Sequence, residues 1–193
     1  MIRKMLPTPM KKILRRVRAL WMPRRRVSRE RRESNRWLAQ HTPAISGRVL
    51  SIGSGDDYDR EGKRYRDYFP NCSAYITSEV TMGFGTSMLA DIRCMPFAKG
   101  SIDCIFCSGV LEHVDDWQSG LREMTYLLKQ GGILLLGLPF RQPIHMAPYD
   151  YWRFTEYGIR YMLQQDYDIL DLANINVNQQ NFPATYWVKA SKR

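Results

Sequence analysis

The residues that could do chemistry begin with the run Val49-Leu50-Ser51-Ile52-Gly53-Ser54-Gly55-Asp56-Asp57. An apolar stretch entering Gly-x-Gly lets backbone come close to a bound molecule at the carboxyl edge of a parallel sheet. The dinucleotide fingerprint would want a third glycine where this chain has Tyr58, and Asp56 and Asp57 would repel a phosphate at a helix N-terminus. The turn therefore suits a nucleoside without phosphates. Glu79 comes 24 residues after Gly55, at a strand end, where a carboxylate can accept two hydrogen bonds from ribose hydroxyls or simply be solvated. Asp91, after a third strand, is placed to take a hydrogen bond from an exocyclic amine or to cap a turn.

The histidines are His41, His113 and His145. His113 belongs to Val110-Leu111-Glu112-His113-Val114, after the fourth strand, and either orients that loop or takes part in catalysis. His145 stands in a long loop over residues 139–155, and long loops at the ligand edge of a compact domain are often functional. His145 is the candidate base or substrate contact, with Tyr149, Asp150, Tyr151 and Arg153 shaping a pocket; a loop pinned by its own aromatics is the alternative. Cys104 and Cys107 form a C-x-x-C, but within a strand, where residues three apart point to opposite faces. No second Cys/His pair stands at metal spacing. Buried thiols, with no metal and no disulfide, are expected.

These residues need a sheet to position them, and from Gly47 onward strand and helix patterns alternate. Short strands are expected at 48–52, 74–78, 88–90, 102–107 and 133–138, the last fully apolar, as when helices cover both sheet faces. Helices are expected over 58–69, 116–129 with Asp115 or Asp116 as cap, and 155–165 capped by Thr155. Two more strands, 167–172 and 184–190, are separated by a polar loop and read as a hairpin. The expectation is an α/β, doubly wound, mostly parallel seven-stranded Rossmann-like sheet with an antiparallel C-terminal hairpin.

The net charge of +10 is unevenly spread: residues 1–48 hold 15 of the 29 Lys and Arg with only Glu30 and Glu33 against them. The chain divides on this basis into a basic helical arm, 1–46, and a near-neutral domain, 47–193. Within the arm, Met10, Ile13, Leu14, Val17, Leu20 and Trp21 share one helical face, with Lys and Arg opposite. Residues 10–26 so fit adsorption to an anionic membrane surface or cover for the domain's own apolar surface. A second helix, from Ser28 to about Gln40, would take Ser28 as its cap. No run of about 18 apolar residues exists and a secretory apolar stretch is missing, so a cytoplasmic protein, peripheral at the inner membrane face, is expected.

The ordered set Val49 to Gly55, Glu79, Asp91 with Met95-Pro96-Phe97, Ser101-Ile102-Asp103, Val110 to Val114, Leu127-Leu128-Lys129-Gln130-Gly131-Gly132 and Leu138-Pro139 resembles the type 11 branch of class I S-adenosylmethionine-dependent methyltransferases. The resemblance implies S-adenosylmethionine as cofactor. It implies that Gly53, Ser54 and Gly55 line its methionine and ribose, Glu79 binds the ribose, Asp91 with Ile92 holds the adenine, and Ser108 faces the methionine part. This chain departs from the family in having Ser51 where an acid is common; serine can still hydrogen-bond the cofactor ammonium, without a charge. The loop 139–155 resembles that of members found in glycan and lipid-linked sugar pathways, which implies O-methylation of a sugar, lipid-linked glycan or other small hydroxyl acceptor. Cys107-Ser108-Gly109-Val110 stands where base-directed amino methyltransferases carry an Asn/Asp-Pro-Pro-Tyr-like element, so nucleic acid is the less favoured partner. An RNA-associated methyltransferase using the arm, and a non-catalytic cofactor-binding relative, are the two alternatives.

Overall fold

The computed structural model describes residues 27–82 and 85–193. The amphipathic helix expected within 10–21 and the membrane-facing stretch 10–26 lie outside the described residues.

Helix α1 (Arg29–His41) starts where Ser28 accepts a hydrogen bond from the Arg31 amide. Seven strands follow: β1 (Gly47–Ile52), β2 (Cys72–Glu79), β3 (Met88–Leu89), β4 (Ile102–Ser108), β5 (Leu128–Pro139), β6 (Tyr167–Ile175) and β7 (Thr185–Lys192). Helix α2 (Trp117–Leu127) precedes β5 and helix α3 (Glu156–Leu163) precedes β6. Asp116 caps α2 through the Ser119 amide, and Thr155 caps α3 through the Gly158 amide. The strands form one sheet in the order β3-β2-β1-β4-β5-β7-β6. The first four pairings are parallel, and β7 runs antiparallel between β5 and β6. This is the expected Rossmann-like architecture with an antiparallel C-terminal edge.

Alternation along the central strands divides the core between the two faces. Leu50, Ile105, Cys107, Leu134 and Leu136 pack with Met124 and Leu127 of α2 and Ile159 and Leu163 of α3. Val49, Cys104, Phe106 and Leu135 face the other way, against Trp37 and Leu38 of α1 and Trp187 of β7. Cys104 and Cys107 thus point to opposite faces, both buried and unbridged.

Two differences from the sequence reading concern that second face. The helix expected over 58–69 is reduced to a 3-10 turn at Tyr65–Tyr68. Asp59 takes the place of helical hydrogen bonding: its carboxylate accepts from the Glu61 and Lys63 amides and from the Tyr68 hydroxyl, while Gly62 adopts φ +93°. Tyr65, Tyr68 and Phe69 dock on the sheet from this irregular segment. The division by charge also groups α1 with the arm, whereas α1 lies against the sheet. Its Trp37 indole donates to Asp171 on β6 at 2.7 Å and stacks on Trp187. Among the described residues no helix is long and apolar enough to cross a membrane.

Candidate active site

β1 ends in the glycine turn at the carboxyl edge of the sheet. The Gly53 and Ser54 amides donate to the Ser78 carbonyl, stitching the turn to β2, and the Gly55 amide donates to Glu79 Oε1 at 2.5 Å. Gly53 holds φ +65°, and a Cβ there would lie 2.3 Å from Val110 Cγ2. Only glycine lets the β1 turn and the segment after β4 come this close. Gly55, at φ +56°, has open space where a Cβ would stand.

Two cavities open beside this turn. One, of about 430 Å³, is mostly apolar and is bordered by Glu79, Asp91, Ile92, Gly53 and Val110. The other, of about 540 Å³, is bordered by Ser51, Ser54, Ser108, Glu112, His113 and His145. Ile52, Gly53, Gly109, His113 and Met146 line both, so the two adjoin at the turn.

The structure brings Glu79 and Asp91 to one cavity, with Ile92 buried beside them. The Asp91 carboxylate is gripped by Arg93 at 2.7 and 3.0 Å, and that guanidinium holds its pKa below the ordinary carboxylate range. Asp91 therefore stays an anionic acceptor, as an exocyclic amine requires. Ser51 is fully buried, and its hydroxyl, close to the Tyr75 phenol, makes no hydrogen bond of normal geometry among the described residues. A buried hydroxyl facing a cavity can pair with a polar ligand group. An apolar slot with two carboxylates, a bare glycine turn and buried Ser51 fit an adenosyl group with an ammonium-bearing tail.

On the far side of the turn the chain after β4 makes a 3-10 turn at Leu111–His113. The loop 139–155 is latched onto it: the Tyr151 and Trp152 amides donate to the Glu112 carbonyl, and the Trp152 indole donates to the Val114 carbonyl. Asp150 ties the loop internally, accepting from the His145 amide at 2.8 Å and from both Arg153 terminal nitrogens at 2.6 and 2.8 Å. The Arg153 guanidinium holds the Asp150 carboxyl well below the usual range. Tyr149, Asp150, Tyr151 and Arg153 are thus not brought to either cavity lining; Tyr149 and Tyr151 are exposed. The loop instead contributes Gln142, Pro143, His145 and Met146. His113 and His145 meet edge to face, ring centroids 4.8 Å apart.

Between them stands Glu112, a residue the sequence reading did not single out. It is 1% exposed, burial pushes its pKa up to about 7, and its Oε2 has no hydrogen-bond partner among the described residues. The signal was available: a lone carboxylate within the apolar run 110–114, beside a histidine. α1 also walls the larger cavity, through Glu30, Arg31 and Ser34, and Thr185 of β7 donates to Glu30 at 2.6 Å. The charge-based division had hidden those residues.

A glycine turn after β1, acids at the end of β2 and just after β3, and this seven-strand order give the Rossmann-like fold shared with solved S-adenosylmethionine-dependent methyltransferases. Residues 71–136 match the family described as a methyltransferase domain, its type 11 branch. An uncharacterized methyltransferase of Mycobacterium sp. (strain JLS) is 31% identical over 107 residues, 52% of this chain and 42% of the relative. The chain spans less than half the length of the curated relatives it matches. Among solved structures, a Haloferax volcanii methyltransferase in complex with the Trm112 activator superposes with TM-score 0.66 at 13% identity, over 84% of this chain and 90% of that one. The N-methyltransferase NodS of Bradyrhizobium japonicum, bound to S-adenosyl-L-homocysteine, gives 0.64 at 17%, over 83% and 86%.

Proposed function

We propose that this chain transfers the methyl group of S-adenosylmethionine to a hydroxyl of a sugar, a lipid-linked glycan or another small acceptor. The observation that carries the reading is that two cavities adjoin at Gly53, one lined by Glu79 and Asp91 and the other by Glu112, His113 and His145. The cofactor supplies a sulfonium methyl, already a strong electrophile. Glu79 accepts from the ribose hydroxyls, Asp91 and Ile92 hold the adenine, and Ser51, Gly53, Ser54, Gly55 and Ser108 receive the methionine part. The acceptor enters the larger cavity and presents its hydroxyl to His145, which takes the proton released as the methyl moves from sulfur to oxygen, with Glu112 and His113 behind it. Transfer needs that oxygen in line, about 3 Å from the methyl carbon. Asp150 and Arg153 position His145 by holding its loop, and Tyr149 and Tyr151 stand at the loop surface where a glycan can stack. Residues 10–26 adsorb to an anionic membrane surface at the cytoplasmic face, where lipid-linked saccharides are presented.

The test is methyl transfer from labelled cofactor across sugar nucleotides, lipid-linked glycans and RNA. Transfer to a saccharide hydroxyl, lost in His145→Ala, is expected. Transfer confined to RNA and collapsing with salt would replace the saccharide reading. Absence of heat on titrating millimolar cofactor would remove the methyl-transfer reading altogether. Liposome flotation with and without residues 1–22 checks the membrane arm, and equal recovery of both forms refutes it.

A further inference from the structure

Glu112, His113 and His145 each turn an electron-pair donor toward one place on the wall of the larger cavity. One ligand-capable atom from each lies within 4.8 Å of the other two. Glu112 Oε1 is 3.7 Å from His113 Nε2 and 3.9 Å from His145 Nε2. The tautomers are set from behind. His113 Nδ1 is 2.7 Å from the Tyr149 carbonyl oxygen; His145 Nδ1 is 3.1 Å from the Pro143 carbonyl oxygen and 3.5 Å from Asp150 Oδ2. Those oxygens only accept, so each neutral ring carries its hydrogen on Nδ1 and leaves a lone pair on Nε2. With Glu112 ionised, two lone pairs face a carboxylate oxygen with no hydrogen between them, an arrangement that repels itself unless a proton or a cation sits at its centre. The second Glu112 oxygen, buried and without a partner among the described residues, adds to that deficit.

We propose that Glu112, His113 and His145 form a three-ligand site for a divalent first-row transition cation, zinc, manganese or iron being examples, with its remaining positions open to the cavity. An imidazole whose Nδ1–H is anchored on a carbonyl or carboxylate is the usual backing of a metal-binding histidine. Two nitrogens and one oxygen suit borderline cations over calcium or magnesium, which take oxygen ligands. Metal–ligand bonds of about 2.1 Å separate tetrahedral ligands by about 3.4 Å, so the two glutamate–histidine spacings of 3.7 and 3.9 Å need to close by a few tenths of an ångström, and the histidine–histidine spacing, within 4.8 Å, by more. His145, on the surface loop, can supply that movement. Given the reading of this cavity as the acceptor side, the cation would polarise the acceptor hydroxyl, His145 would then serve as ligand and not as base, and the hydroxyl proton would pass to solvent through the open cavity.

The test uses the full-length chain, stripped with a chelator and titrated with Co²⁺ in the absence of cofactor and acceptor. One equivalent is expected to produce visible d–d absorption that Zn²⁺ abolishes. Glu112→Gln, His113→Ala and His145→Ala should each weaken Co²⁺ binding by about tenfold or more, whereas Cys94→Ser, at an exposed thiol, should not. Absence of a stoichiometric band, or unchanged affinity in the three variants, overturns the site. If Glu112→Gln or His113→Ala melts early, His145→Ala decides, because that side chain is 42% exposed. Cofactor titration is run separately: Co²⁺ binding without cofactor binding sinks the methyl-transfer reading alone, and cofactor binding without Co²⁺ binding sinks the cation site alone.

Discussion

Two glycines in one turn allow a steric contact to be weighed against a backbone preference. Gly53 and Gly55 adopt nearly the same left-handed conformation, φ +65° and +56°, but differ in what a Cβ would meet. At Gly55 there is open space; at Gly53 the atom would stand 2.3 Å from Val110 Cγ2. Placing alanine in the left-handed region costs about 1–2 kcal/mol, and the loss of glycine's extra freedom in the unfolded chain offsets part of this equally at both sites. Gly55→Ala should therefore cost about 1 kcal/mol net. Gly53→Ala adds an overpacking cost of about 1–3 kcal/mol, because β-branched Val110 has little rotamer freedom to withdraw. Urea unfolding at equilibrium reads the difference: for an m-value of about 2 kcal/mol/M, an excess of about 2 kcal/mol moves the midpoint by about 1 M. Repeating Gly53→Ala in a Val110→Ala background should bring its cost down to that of Gly55→Ala. Equal midpoints for Gly53→Ala and Gly55→Ala, or no rescue by Val110→Ala, would refute the close-approach account of the turn.

Other perturbations test the remaining links. Glu79→Gln should weaken cofactor binding by about tenfold to a hundredfold in calorimetry, the loss expected for hydrogen bonds to a charged group, whereas Asp168→Asn, at the exposed pair with Arg193, should leave it unchanged. Trp37→Ala should cost about 3–5 kcal/mol in chemical denaturation, and a fragment of residues 47–193 should melt well below one of residues 27–193; equal melting would show that α1 is dispensable to the sheet. Asp103 accepts from the Arg48 amide and Lys129, and although burial opposes them these contacts hold its pKa below the ordinary value. Its stabilisation is therefore present above about pH 4 and is lost as pH falls through the lowered folded value. Asp103→Asn should cost about 0.5–1 kcal/mol at pH 7 after solvent screening, and the gap to the native chain should close in acid; a gap constant with pH would contradict this.

What could be read in advance follows from which interactions are local. β1, β4 and the apolar part of β5 announce themselves because burial on both faces demands unbroken apolar runs, and the caps of α1, α2 and α3 lie within three residues of the amides they satisfy. The segment 58–69 was misread because its fate is decided by Asp59 bonding two amides and a tyrosine hydroxyl, a competition that periodicity does not register. α1 is set apart because its charge pattern speaks louder than Trp37, whose partners Asp171 on β6 and Trp187 on β7 lie more than a hundred positions later. Glu79, Asp91 and His145 were legible as strand-end or loop residues. Glu112 was not, since its significance rests on burial and on two histidines from different segments converging on it. The loop residues Tyr149 to Arg153 carry the right chemistry for a pocket, but their hydrogen bonds are spent on one another and on the chain after β4.

The placing of β7 between β5 and β6 has a consequence for biosynthesis. A nascent polypeptide that has not yet exposed residues 185–192 holds β5 with an unpaired, wholly apolar flank, and β6 has no neighbour to join. Thr185 and Trp187, which wall the larger cavity, arrive on that same late strand. Ribosome stalling or premature termination ahead of it therefore leaves a sticky half-sheet rather than a smaller working domain, a natural client for chaperones that shield bare strand edges.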